Sequence, residues 1–179
     1  GGSTGTTCGT ETFETIPASS SSYSTRTWTS NSITWTATDA RTDQNLNNRA
    51  ILIQNGSLTS STISGGMGSL TVSTKQYYSG SAGSFNLLIN GTVVGTIPYT
   101  SSTSSSGGTI TTTTISNINL TGNNVIKLTN NSTSTRVAID DLSWTCYNGL
   151  GTDETTVNKF SIYPNPVKNN TLYVTGKNI

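Results

Sequence analysis

Apolar residues along this chain alternate with polar ones or fall in short runs, and nowhere recur at the spacing of an amphipathic helix. The sharpest local pattern lies between Ser84 and Tyr99. There SFNLLIN and TVVGTIPY flank Asn90-Gly91, the pair preferred in a two-residue type I′ hairpin. Pairing across that turn sets Leu87 opposite Val94 and Leu88 opposite Val93. Both faces then carry apolar side chains, as they do where a strand pair lies inside a two-layer structure. CGTETFETI predicts the first strand, with Phe13 buried and Glu11 and Glu14 near its end. RAILIQ (Arg49 to Gln54) predicts a buried strand, and in SLTVSTKQYY the residues Leu70, Val72 and Thr74 alternate with polar neighbours. TITTTTISNINL, VIKLTN and finally TRVAIDDLSWTCY continue the series. In the last of these the apolar parity shifts between Ile139 and Leu142, across Asp140-Asp141. A β-bulge or the covering of both faces would each account for the shift. About nine or ten short strands, with turns every eight to twelve residues or so, predict an all-β protein, a jelly-roll-type β-sandwich rather than a solenoid.

Composition supports that class and narrows the partners. Of 179 residues only 9% are charged and 31% are apolar, while Ser, Thr, Asn and Gly abound. Thr, Ile and Val favour extended chain, and Gly and Asn supply turns. A net charge of +1 leaves no electrostatic footprint for nucleic acid. No apolar run is long enough for a bilayer span, so no membrane insertion is expected. Four segments are expected: a Gly/Ser/Thr lead over 1–7, a β-sandwich binding module over 8–147, a linker over 148–158, and a new segment over 159–179. The last begins FSIYPNPVKNNTLYV, with apolar residues around a YPNP turn. Cys8 and Cys146 lie near the two ends of the β-rich region. The chain has no His to complete a metal site, so a disulfide joining the first strand to the last is expected. It would stabilise by roughly 5 kcal/mol in the chain-entropy model. It also implies an oxidising compartment, secreted or at the cell surface.

Candidate chemistry concentrates between Arg26 and Arg49. Five charged residues (Arg26, Asp39, Arg41, Asp43, Arg49) share that window with Trp28 and Trp35. Flat indole beside forked guanidinium donors and carboxylate acceptors suits a sugar, whose C–H face stacks while its hydroxyls meet planar polar groups. Trp35, flanked by Thr, is expected to face the ligand; Trp28 serves equally well in core or site. Tyr77 and Tyr78 are adjacent, which sends one inward and one outward, and the outward one (Tyr78 in this reading) is a second sugar contact. Trp144, two residues before Cys146, is expected in the core. Catalysis has little to work with. A Ser-His-Asp or Cys-His arrangement lacks its base, and Asp39 and Asp43 each have an Arg nearby that would keep a general acid ionised. No enzyme activity is expected.

Two resemblances add to this. Phe160 to Val174 resembles the start of the type IX secretion sorting domain of Bacteroidota exoproteins, which implies the type IX secretion machinery as a partner of the tail. The body is similar to a β-sandwich module of flavobacterial secreted proteins. The residues that carry this are ETFE (Glu11 to Glu14), WTATDARTD (Trp35 to Asp43), ISGGMGSL (Ile63 to Leu70), FNLLINGTVVGTI (Phe85 to Ile97) and AIDDLSWTCY (Ala138 to Tyr147). Jelly-roll carbohydrate-binding modules share the early FE and the late acidic strand, where several families hold a structural calcium. Carried over by position, its ligands are Glu14 and Asp141, with Glu11 and Asp140 as alternates; carboxylates and strand-end carbonyls suit that ion. The expectation is a secreted, non-catalytic module that binds a polysaccharide, and the Arg cluster suggests an acidic or sulfated one. A structural or adhesive surface domain without a glycan ligand is the alternative.

Overall fold

The alternating stretches become strands. The computed structural model describes residues 5–149, with the backbone of 161–168 and 171–175, and these residues form strands, turns and bends without a helix. In chain order the first eleven strands are β1 (Thr7–Glu11), β2 (Ser24–Ser30), β3 (Ile33–Asn45), β4 (Arg49–Ile53), β5 (Ser57–Ser60), β6 (Leu70–Tyr77), β7 (Gly83–Ile89), β8 (Thr92–Tyr99), β9 (Thr111–Ile115), β10 (Ile126–Asn130) and β11 (Arg136–Thr145). They pair in the order β8-β7-β10-β5-β3-β4-β11-β6-β9, with β2 on β3 and β1 on β11.

Long β3 belongs to two layers. Its first half pairs with β2 and, through Trp35–Ala37, with β5; from Ala40 onward it pairs with β4. Between the halves Asp39 takes left-handed backbone (φ 47°). Its carbonyl accepts the Gln54 amide at 3.2 Å and its carboxylate the Asn55 amide at 2.7 Å. An irregularity of this kind bends a strand and re-aims the side chains beyond it. β2, the first half of β3, β5, β10, β7 and β8 make layer one. The second half of β3, β4, β11, β6 and β9, with β1 beside β11, make layer two. Between them lies one apolar core that includes Trp35, Phe85, Leu58, Ile51, Ile139 and Leu142. The β-sandwich expected from the alternation is the fold observed.

Details of register depart from expectation. Asn90 and Gly91 carry the positive φ of the type I′ turn (52° and 83°). Leu88 faces Val93 as expected, but a bulge then sets Leu87 opposite Gly95 and leaves Val94 out of the pairing. In β11 the register slips between Asp140 and Ser143, with Asp141 left-handed (φ 47°), so the parity shift is a bulge. The other explanation also holds: Ala138 of the outer face is buried in a second apolar cluster with Ala50, Leu52 and Tyr77. Cys8 and Cys146 are disulfide-bonded, their Cα atoms 5.0 Å apart, where β1 pairs with β11. Trp144 is in the core beside them, and a Cβ on Gly9 would lie 2.1 Å from its ring.

Two compact units divide the chain, Gly1–Asn148 and Gly149–Ile179. In the second, β12 (Ser161–Lys168) and β13 (Thr171–Thr175) pair antiparallel. YPNP lies within β12 rather than in a turn. Regular pairing lapses between Tyr163 and Lys168, where Pro164 and Pro166 have no N–H to give. Residues 1–4 and most of the expected 148–158 linker lie outside the described residues.

Candidate functional site

The tryptophans are not at a surface. Trp28 pairs with Trp35 across β2 and β3, and their neighbours Thr27, Thr29, Thr34 and Thr36 take the opposite, outer face. Alternation therefore sends both indoles inward. Trp35 is 0% exposed and Trp28 6%. Their rings pack on Trp144 (centroids 6.5 Å) and Phe13 (5.9 Å) respectively. Neither presents a face to a sugar, which corrects the expectation built on them.

Three of the charged candidates are committed elsewhere. Arg26 donates to Ser22 O (2.8 Å), Ser20 Oγ (3.0 Å) and Ser22 Oγ (3.1 Å), tying the loop before β2 to its own strand. Arg49 donates to Ile16 O at 2.6 Å, to Glu14 O at 3.3 Å and to Pro17 O, clamping the 13–17 turn. Asp39 holds the bend of β3. These bonds give each of the three a structural role.

Arg41, Asp43 and Tyr78 do converge, on the outer face of layer two. Arg41 and Asp43, two apart on β3, share that face. Asp43 accepts from Arg41 Nε at 2.9 Å and from Nη2 at 2.5 Å, a two-pronged ion pair with side chains 14% and 20% exposed. The bond to Asp43 pushes the Arg41 guanidinium further up, and Arg41 holds the Asp43 carboxyl below its ordinary value. Register then carries the row across the sheet: Arg41 faces Leu52, Leu52 faces Ala138, and Ala138 faces Lys75. Ala50, Leu52, Ala138 and Tyr77 form an apolar floor, against which Tyr23, Leu46 and Tyr78 pack half-buried. The Tyr77 hydroxyl donates to the Asn45 carbonyl, which fixes that ring towards the β3–β4 turn.

Tyr78 joins this face because its backbone is left-handed (φ 60°), which breaks the alternation expected after Tyr77. The Arg41 guanidinium lies 5.4 Å from the Tyr23 centroid and 5.7 Å from that of Tyr78. Arg136 lies 5.1 Å from the Tyr78 centroid, and Lys75 Nζ 4.8 Å from that of Tyr77. At such distances a cation is attracted to the ring face. Tyr23 Oη is buried and has no hydrogen-bond partner among the described residues. Sequence reasoning missed Tyr23 and Arg136. Tyr23 is a lone aromatic in a Ser-rich run, and that isolation was the available signal; Arg136 had none beyond opening the last strand.

The acidic candidates separate into two places. Glu11 is 1% exposed; its Oε1 accepts the Phe13 amide at 2.6 Å, and its Oε2 is buried without a partner. Burial pushes its carboxyl up, against the pull of the Phe13 amide and the Ser30 and Trp28 side chains. Glu14, Asp140 and Asp141 each accept a bond from the 47–49 segment beside the β11 bulge. Asn47 N donates to Asp140 at 3.1 Å, Asn47 Nδ2 donates to Asp141, and Arg49 N donates to Glu14 at 3.3 Å. The Asp140 carboxyl is pushed up, first by burial and then by the charges of Asp141 and Glu14, although amide bonds oppose this. The donor types suit a hard divalent ion. Among the described residues, however, no three acidic or cysteine side chains are grouped closely enough to hold a metal ion.

These strands define a β-sandwich of the kind found in carbohydrate-binding modules. No family model matches the sequence, and no curated protein does. A solved structure of a family 36 carbohydrate-binding module in complex with calcium and xylotriose is similar at a TM-score of 0.50 and 14% identity, over 76% of this chain and 99% of that one. A family 6 module from Clostridium stercorarium in complex with cellobiose has a TM-score of 0.47 and 21% identity, covering 77% and 93%. A family 35 module from Paenibacillus barcinonensis has a TM-score of 0.45 and 18% identity, covering 63% and 92%. Likeness at this level is one of fold.

Proposed function

We propose that the protein is a secreted, non-catalytic carbohydrate-binding module that holds a polysaccharide on the outer face of layer two. The observation that carries this is the group of Tyr23, Tyr78, Arg41 and Arg136 on one apolar floor. Half-buried tyrosines offer a sugar ring flat apolar area, and Arg136 offers donors at its edge. Arg41, Arg136 and Lys75 outnumber Asp43 on this face, which favours an acidic or sulfated glycan. The shared fold of the family 36 module supports the class. The tail from Phe160 completes the proposal as the start of a type IX sorting segment of a flavobacterial exoprotein. Affinity electrophoresis against algal and plant polysaccharides tests the site. Retardation in at least one glycan gel should disappear in Tyr78→Ala and weaken in Arg41→Ala; retardation that survives both changes together removes this site.

A second reading has its own support. Both indoles are buried, and the outer face of layer one is paved with Thr27, Thr29, Thr34, Thr36 and Thr59, a nearly uncharged surface that suits an adhesive or spacing domain. Binding of cells or protein without any glycan retardation would favour it. Calcium is proposed for the corner of Glu14, Asp140 and Asp141, without Glu11. If calcium binds there, these three carboxylates would hold it in place of the bonds from Asn47, and its charge would offset theirs. Melting should then shift up by several degrees in millimolar calcium relative to EDTA, a shift of the size expected for a ligand well above its Kd. An unchanged midpoint sinks the calcium proposal.

A further inference from the structure

The cations on the layer-two face are not equivalent. Arg41 presents its Nε–Nη2 edge to Asp43 in a two-pronged pair, so its charge is matched and its fork is occupied. Tyr23 and Tyr78 both lie against the same guanidinium. Lys75 rests on Tyr77 and is a compact point charge, which attracts anions without selecting a shape. Arg136 differs from both. It is half-buried over Tyr78, and among the described residues its side chain has neither an ion pair nor a hydrogen bond. Its backbone is fixed, since it pairs with Tyr77 at the start of β11. A guanidinium drawn to a ring face and otherwise unpartnered keeps its forked N–H donors free. That is the arrangement that meets a planar carboxylate by two parallel bonds.

We infer that Arg136, seated on Tyr78, takes the carboxylate of a uronic-acid residue, and that Arg41 is a positioning residue, held by Asp43 so that it braces Tyr23 and Tyr78. This deepens the glycan reading of the same face and rests on it. A neutral sugar would cover Arg136 and leave a partly desolvated charge without a counter-charge, which is costly. A sulfate is tetrahedral and is best met by donors converging from several directions, whereas Arg136 offers one flat fork. A uronate satisfies the fork.

Calorimetric titration of the whole chain tests this, with oligogalacturonate and oligomannuronate as ligands beside their carboxyl-reduced counterparts and a sulfated galactan oligosaccharide. Arg136→Gln should weaken uronate binding about tenfold or more, as expected for losing a charge-assisted pair, and weaken the carboxyl-reduced sugars far less. Arg136→Lys should recover only part of the loss, because a point charge does not replace the fork. Asp43→Asn should weaken charged and carboxyl-reduced ligands alike, the mark of a residue that acts through the rings. Wild-type uronate affinity in Arg136→Gln, equal affinity for the carboxyl-reduced sugars, or preference for the sulfated oligosaccharide would each overturn the assignment while leaving a glycan site in place. If instead Tyr78→Ala binds every oligosaccharide as wild type does, the face itself is the wrong place and the broader proposal falls with it.

Discussion

At the scale of single residues, a tryptophan beside arginines reads as a sugar platform only until its strand parity is known. Trp35 is fully buried against Trp144, so its truncation should be felt as lost stability. Trp35→Ala is expected to cost about 3–5 kcal/mol in urea unfolding, the usual range for emptying an aromatic site in a core. Affinity per folded molecule should stay unchanged, and a variant of wild-type stability would show that the ring is not in the core. The parity was legible: T-W-T-A-T over 34–38 places Trp35 and Ala37 on one face and threonines on the other. Arg41 with Asp43 was legible too, because residues two apart on a strand share a face. Tyr23 and Tyr78 were harder. One sits outside any alternating pattern, and the other reaches the site only through a left-handed backbone that its sequence does not announce.

At the scale of elements, the alternation and the Asn-Gly turn located RAILIQ, the 84–99 hairpin and the last strand, but the strand expected over CGTETFETI ends at Glu11 and the places where strands bend were not evident. β3 changes layers at Asp39, and β11 bulges at Asp141. Asp is among the residues that tolerate left-handed backbone, yet one Asp in a strand does not declare that it will adopt it. The bend matters because it turns Arg41 and Asp43 out of layer one and onto the face that holds Tyr78. Asp39→Ala and Asp39→Gly both lose the bond to the Asn55 amide, but only Ala meets the steric cost of positive φ. Ala should therefore be the worse replacement by about 1 kcal/mol in denaturant unfolding. A glycine variant less stable than the alanine one would mean that the left-handed bend is not what this position supplies.

At the scale of the whole molecule, β1 lies against the far half of β11 and the Cys8–Cys146 bond joins the two. Removing both thiols by Cys8→Ser and Cys146→Ser should cost about 2–5 kcal/mol, measurable as an earlier unfolding midpoint. The position of the bond has a mechanical consequence as well. A pull that enters before Cys8 and leaves after Cys146 crosses from one backbone to the other through two sulfur atoms, and the chain between them, a separation of 138 residues, carries no tension. Stretched between its ends in an optical trap, the oxidised domain should lengthen without a rip. Once reduced, it should peel open from β1 and release that hidden length. Pulled from both ends, the oxidised module would keep its tyrosine face intact under forces that would open an unbridged sandwich.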